Sequence, residues 1–107
     1  METIKLKPLS LNSAYRGRRF TTPELKSFKN ELFYLLPKII VPKGKLKVRY
    51  IFGVSSKNAD GDNLIKCFQD AIADTYRFND KLIYKWDVEK IDVKKGEEYI
   101  KFKIESY

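Results

Sequence analysis

The sequence predicts an α+β fold, organised as a single small domain with a mixed β-sheet of about four strands and two main helices. Three segments alternate apolar and charged residues, a fourth is extended in character, and two repeat apolar residues at helical spacing. Their order is strand, helix, strand, helix, strand, strand. A chain of 107 residues can form its own core without disulfides or a structural metal. We therefore expect one domain over residues 1–107.

The first half of the chain contains a short strand, a loop and a helix. The strand is predicted over residues 3–7 and ends at Pro8. A loop follows to Thr22, and Pro23 in a first turn indicates a helix start. The helix should end before Pro37, with these apolar residues at helical spacing: Leu25, Phe28, Leu32, Leu35 and Leu36. In the connection that follows, the apolar residues 39–41 fit either a short edge segment or a contact surface.

The second half begins with a strand over residues 46–54, which alternates a core face with a basic face. The second helix should have Asp62 as its N-cap and the following buried stripe: Leu64, Cys67, Phe68, Ala71 and Ile72. An extended segment over 82–93 and a strand containing Ile100, Phe102 and Ile104 complete the sheet. Residues 94–97, with Gly96 for a positive φ, predict a hairpin turn between them.

The composition excludes several classes of function. The chain has no histidine and one cysteine, so zinc sites, histidine acid/base chemistry and an internal disulfide are excluded. It has no apolar run of membrane-spanning length and no apolar signal region behind Met1. We therefore expect a cytoplasmic protein with no membrane association.

The charge of the chain favours a polyanionic partner. Lys and Arg outnumber Asp and Glu by 22 to 14, a formal charge of +8. In the first loop, Arg16, Arg18 and Arg19 lie between the aromatic residues Tyr15 and Phe20, a combination suited to phosphate contacts and base stacking. The alternative is a solvated loop whose two aromatic residues pack against the core.

The acidic stretch Asn58-Ala59-Asp60-Gly61-Asp62-Asn63 has three explanations. A calcium loop fails, because Asn63 replaces the glycine and Gln69 the bidentate glutamate that its spacing requires, and a strand precedes it. A helix cap with a salt bridge from Asp62 to Lys66 is the ordinary reading. The third is a phosphodiesterase site, where Asp60, Asp62 and Asp80 hold a divalent metal and Lys66 offsets charge on the phosphate.

These residues resemble the RusA type of Holliday junction resolvases, a family of bacteria, phages and prophages. The family signature is an aspartate, any residue, and Asp-Asn, followed by a lysine four positions after the second acid and an aspartate in a later turn. Here those positions are Asp60, Asp62, Asn63, Lys66 and Asp80.

The resemblance extends beyond the signature over most of the chain. The helical segment 68–72 is similar to the family's, and so is the opening Pro8-Leu9-Ser10 with Asn12 and Tyr15. Two positions depart from the pattern: Ala59 replaces an arginine of some members, and Asn79-Asp80 replaces a pair of acids.

The resemblance implies a homodimeric, Mg²⁺-dependent endonuclease that cuts four-way DNA junctions during recombination and repair, with Mn²⁺ as an alternative metal. Asp60, Asp62 and Asp80 would be metal ligands, and Lys66 would assist the phosphate chemistry. The DNA contacts are expected from Asn12, Tyr15, Arg16, Arg18, Arg19 and Asn63. The alternative is a branched-DNA-binding module without catalysis.

The length of the second helix bears on which chain supplies Asp80. A helix from Asp62 to Tyr76 advances about 21 Å, and four residues return at most about 14 Å. Assembly within one chain is then strained, whereas a helix that ends near Ala73 removes the shortfall. Asp80 can complete the site of its own chain or of its partner.

Overall fold

The computed structural model describes residues 1–9, 15–16, 20–21, 23–56 and 61–107. Within these residues the strands are β1 (Glu2–Ile4), β2 (Tyr15–Arg16), β3 (Phe20–Thr21), β4 (Leu46–Val54), β5 (Ile83–Asp92) and β6 (Tyr99–Ser106). The helices are α1 (Pro23–Leu35) and α2 (Gly61–Tyr76), and a 3₁₀ turn covers Asp80–Leu82. The expected α+β fold is confirmed.

The main sheet has four strands in the order β1-β6-β4-β5. β4 pairs in parallel with β5 and antiparallel with β6, which pairs antiparallel with β1. The sheet is therefore mixed, as predicted. A separate two-stranded ribbon of β2 and β3 lies within the segment predicted as a loop, with Tyr15 opposite Thr21 and Arg16 opposite Phe20.

The predicted hairpin between the last two strands is wrong. Gly96 does adopt a positive φ of 93°, but β5 and β6 lie on opposite sides of β4. The connection crosses the end of β4, where the N–H of Val93 donates to the carbonyl of Val54 over 2.8 Å. β5 pairs with one edge of β4 as part of a parallel β4-α2-β5 unit, so β6 can pair only with the other edge of β4.

The core lies between the sheet and the two helices. Phe68 of α2 is fully buried, with ring centroids 5.3 Å from Tyr50, 5.9 Å from Phe52 and 5.6 Å from Phe102. Burial of one such aromatic side chain stabilises the fold by about 1.5–3 kcal/mol. The helices add these further buried residues: Leu25, Phe28, Leu32, Leu64, Cys67, Ala71 and Ile72.

The second face of β4 differs from the predicted basic face. Ile51 is 9% exposed and Gly53 is buried, because β4 is an interior strand and Tyr99 covers Gly53. Arg49 is exposed, but its guanidinium nitrogens lie 3.7 Å from Asp87 and 3.9 Å from a carboxylate oxygen of Glu89, both on β5. This face therefore carries charges of both signs.

The end of α1 departs from the core. Leu35, predicted to be in the buried stripe, is 47% exposed. In the connection to β4, Ile39 and Val41 pack against the core while Ile40 is 96% exposed. This connection forms no strand, so the edge-segment alternative is wrong.

α2 runs through Tyr76, the longer of the two lengths considered. Arg77 follows with a φ of 55°, and the N–H of Phe78 donates to the carbonyl of Ala73 over 3.1 Å. A left-handed residue and this backbone bond are the marks of a Schellman motif, which satisfies carbonyls at a helix end. In the described part of the chain, no helix has the length and apolarity needed to cross a membrane.

Candidate functional site

The acidic stretch lies between the end of β4 and the start of α2. Ser55, just after β4, donates a 2.7 Å hydrogen bond to Glu98, and this bond, with one from the N–H of Gly96, lowers the pKa of the Glu98 carboxyl. The bond anchors the start of the connection to α2. Asp60 lies outside the described residues, as do Asn12, Arg18 and Arg19.

The start of α2 differs by one position from the prediction. The helix begins at Gly61, so Asp62 is its second residue rather than its N-cap. A carboxylate in the first turn still meets the partial positive charge of the helix N-terminus. Asn63, predicted to contact DNA, is half-buried in the same turn.

The helical repeat places three polar positions on one side of α2. At about 100° per residue, position 66 lies about 40° from position 62 around the axis, and position 69 about 20° from it in the other direction. The rise puts position 66 about 6 Å and position 69 about 10 Å from position 62 along the helix. Asp62, Lys66 and Gln69 therefore occupy one side of α2, which we call the polar side.

Lys66 forms an ion pair on this helix. Its Nζ lies 3.2 Å from Oδ1 of Asp70, and the lysine side chain is 58% exposed. The ion pair of Lys66 with Asp62, the ordinary reading of the sequence, involves a side chain outside the part of the chain that the structure describes. An exposed pair of this kind is worth only a few tenths of a kcal/mol, so Asp70 by itself holds the ammonium group only weakly.

Gln69 joins the polar side of α2 to the sheet. Its Oε1 accepts a 3.0 Å hydrogen bond from the hydroxyl of Tyr50 on β4 and a 2.8 Å bond from Nε1 of Trp86 on β5. An indole N–H can only donate, so the amide must present its oxygen to the sheet. Gln69 is therefore fixed in orientation, and it fixes the Trp86 ring in turn.

Asp80 lies close to this arrangement. Burial first, and the charge of Asp80 second, raise the pKa of the Tyr50 hydroxyl. Asp80 opens the 3₁₀ turn, where the side chain of Asn79 accepts a 3.0 Å bond from the N–H of Lys81. The turn follows the end of α2 and directly precedes β5, whose first residue Ile83 lies opposite Leu46.

The structure brings some of the predicted site residues together. Positions 62 and 66 share the polar side of α2, whereas Asp80 precedes β5, whose first residue Ile83 lies opposite Leu46 at the amino end of β4, away from the start of α2. The full-length α2 advances about 21 Å and the chain returns at most about 14 Å, so the Cα atoms of Asp62 and Asp80 are at least about 7 Å apart.

A cation would find oxygen ligands in this set. Asp60, Asp62 and Asp80 supply carboxylates alone, the donor type that Mg²⁺ prefers. Among the described residues, no three acidic, histidine or cysteine side chains gather into a cation site. Asp60 and the carboxylate of Asp62 lie outside the described residues, so this statement does not cover them.

The chain matches no protein-family model and no curated protein. The resemblance to the RusA type therefore depends on the signature residues themselves. What the fold adds is the placement of Lys66 and the backbone of Asp62 on one side of α2.

A cleft of about 730 Å³ lies at the carboxyl end of β4, beside Leu64 of α2. Lys5 and Lys7 line one part of it, and Ser55, Ser56 and Leu64 line another. Glu24 and Glu31 also line the cleft, so its lining carries equal numbers of acidic and basic side chains.

Sequence reasoning missed three residues of this region. Tyr50 was assigned to the core, Gln69 was considered only as a failed calcium ligand, and Trp86 had no role. The available signal was a single tryptophan in a strand that is otherwise mostly charged. Cys67 is a core residue, as predicted: it is 3% exposed, and burial raises the pKa of its thiol to about 11.

Proposed function

We propose that this chain is a Mg²⁺-dependent endodeoxyribonuclease that resolves four-way DNA junctions by paired phosphodiester cleavage in recombination and repair. It would act as a homodimer, because two symmetry-related strands must be cut, and Mn²⁺ would substitute for Mg²⁺. The proposal joins the sequence signature to the fold around α2.

One observation carries the proposal. The acid motif runs directly into α2, with Lys66 one turn later on the same side, and the charge of Asp80 acts on Tyr50, which donates a hydrogen bond to Gln69 of that side. Carboxylates that gather at a phosphate site repel one another and the phosphate unless they bind a cation. A helix cap alone accounts for Asp62 but leaves the placement of Asp80 unexplained.

Each residue has a chemical role in this proposal. Asp60, Asp62 and Asp80 would hold the metal, which when bound polarises the phosphate and lowers the pKa of a water molecule. The ammonium of Lys66 would leave Asp70 and offset the negative charge that builds on the phosphate or the leaving oxygen. No histidine is required for these roles.

The DNA contacts would come from the first loop and the start of α2. Arg16, Arg18 and Arg19 would contact phosphates, while Tyr15 and the amides of Asn12 and Asn63 would contact DNA beside them. The β2–β3 ribbon supports this part of the proposal, since Tyr15 and Arg16 belong to a paired strand.

The test is cleavage of a mobile four-way junction with Mg²⁺ or with EDTA. We expect Asp62→Asn to lower the cleavage rate at least about 100-fold and to leave junction binding equal or tighter, because a negative charge near phosphate is removed. Asp74→Asn is the matched control: Asp74 is exposed near the other end of α2, the charge change is identical, and cleavage should persist.

A non-catalytic branched-DNA-binding module is the second candidate. The ion pair of Lys66 with Asp70 favours it, since a paired lysine can serve the helix alone. Junction binding by the wild type without cleavage in Mg²⁺ or Mn²⁺ would support this module and contradict the nuclease.

A further inference from the structure

We infer that Trp86 is a stacking platform for an unpaired nucleobase of the bound DNA, held in position by Gln69. This inference rests on the proposed function, because it names the part of a branched DNA that the site would bind. An unpaired base occurs where a strand leaves one duplex for another.

The exposure and the fixed orientation of Trp86 are the first support. The residue is 46% exposed although it is a large aromatic side chain, and its Nε1 donates the 2.8 Å bond to Gln69. A ring that is already oriented loses little conformational freedom when a base stacks on it. Stacking of a base on an aromatic side chain contributes binding energy without requiring a particular base.

The second support is the position of the ring relative to the site. Trp86 lies opposite Val48, on the face of the sheet that the helices cover, and it contacts the polar side of α2 through Gln69. The same side carries positions 62 and 66, and Asp80 lies close to Tyr50. A base on Trp86 would therefore leave its backbone close to the acid set.

The third support is the openness of β5. Within the described strands, β5 is an edge of the main sheet and pairs only with β4. A flexible single strand of DNA can therefore reach the Trp86 ring from the unpaired edge of β5. The amide nitrogen of Gln69 points away from Tyr50 and Trp86, since its oxygen accepts both bonds, and its two hydrogens can reach a base edge or a phosphate oxygen.

Trp86 is the one tryptophan of the chain, so fluorescence excited at wavelengths beyond the tyrosine absorption band reports on this ring alone. The probes are a four-way junction, a flap with a single-stranded tail, and a fully paired duplex of the same length, each titrated in Ca²⁺ to prevent cleavage. We expect the junction and the flap to quench Trp86 and the duplex to leave its emission nearly unchanged.

Variants separate stacking from a purely structural role. Trp86→Ala should weaken junction and flap binding about 5-fold to 100-fold and change duplex binding less than 2-fold, while Trp86→Phe keeps a ring and restores most of the affinity. Tyr84→Ala is the matched control: Tyr84 is an exposed aromatic residue on the same strand whose ring contacts Tyr107 instead. Its junction affinity should stay within 2-fold of the wild type.

The outcomes distinguish this inference from the proposed function. Junction binding, seen by anisotropy, without any change in Trp86 emission would overturn the platform and leave the nuclease standing. An equal loss of duplex and junction binding in Trp86→Ala would also overturn it. Quenching by the junction in a protein that does not cleave it would support the platform and contradict the nuclease.

Discussion

The hydroxyl of Tyr50 donates a hydrogen bond to the side-chain carbonyl of Gln69 across 3.0 Å, joining the centre of the sheet to the polar side of α2. Tyr50 is fully buried, so its hydroxyl has no water to replace this partner. The same oxygen of Gln69 accepts from Trp86. One side chain therefore connects β4, β5 and the helix that carries the acid motif.

Gln69→Leu should lower the free energy of unfolding by about 1–3 kcal/mol, because it leaves the buried Tyr50 hydroxyl without an acceptor. The N–H of the half-exposed Trp86 can donate to water instead, so the loss of its bond to Gln69 adds little to the change in the free energy of unfolding. Urea denaturation measures the change. In a Tyr50→Phe background the same substitution should cost clearly less, since no hydroxyl is left unpaired. Equal costs in both backgrounds would contradict the contact.

Gly53→Ala should destabilise the fold by about 1–3 kcal/mol, as overpacking typically does. A Cβ at this position would lie 2.5 Å from Cδ1 and Cε1 of Tyr99. In a Tyr99→Ala background the substitution should be neutral or stabilising, because space becomes available and alanine restricts the unfolded chain more than glycine. Thermal unfolding of the four proteins tests this, and an equal loss in both backgrounds would show that the ring is not the cause.

Cys67 should react slowly with iodoacetamide in the folded protein. A pKa raised from 9.0 to about 11 lowers the thiolate fraction about 100-fold at pH 8, and the 3% exposure of the residue slows access further. As pH rises toward 11 the rate should keep increasing, whereas the chain in urea should approach its plateau near the ordinary thiol pKa. Because the chain has one cysteine, mass spectrometry reports on this site alone. Equal rates in the folded and urea-unfolded chains would contradict the burial.

Mixed dimers test which chain supplies Asp80. If Asp80 completes the site of its own chain, heterodimers of Asp60→Asn and Asp80→Asn chains should show no cleavage. A site shared between chains would instead recover one working centre per heterodimer, seen as nicking of one strand. Heterodimers of Asp60→Asn and Asp62→Asn are the control, since both arrangements predict no activity for them.

The arginines of the first loop should contribute to the salt dependence of junction binding. Changing Arg16, Arg18 and Arg19 to alanine should weaken binding and flatten the slope of log K against log salt by up to about 3, near 0.9 for each phosphate that is no longer neutralised. The control changes three exposed lysines elsewhere, namely Lys43, Lys94 and Lys95, with the same loss of charge. An unchanged slope in the arginine variant would favour a solvated loop.

The local patterns predicted most elements because each depends on neighbours in sequence. Helical spacing located α1 and α2, and alternation located β4 and β6. Strand neighbours were not predictable in this way, and the hairpin expected at residues 94–97 was wrong, because alternation shows that a segment is extended but not which strand it pairs with. The burial of Ile51 also required the sheet order, since β4 is an interior strand with β5 and β6 at its two edges.

The sequence by itself determined the fold class, the two helices and the acid motif with Lys66 and Asp80, because periodicity and spacing are local properties of the chain. Only the tertiary structure decided that α2 runs to Tyr76, that β5 and β6 flank β4, and that Gln69 joins Tyr50 to Trp86 beside Asp80. Gln69 is 19 positions from Tyr50 and 17 positions from Trp86 along the chain. Their contacts follow from how the helices pack on the sheet, which no short window of residues contains.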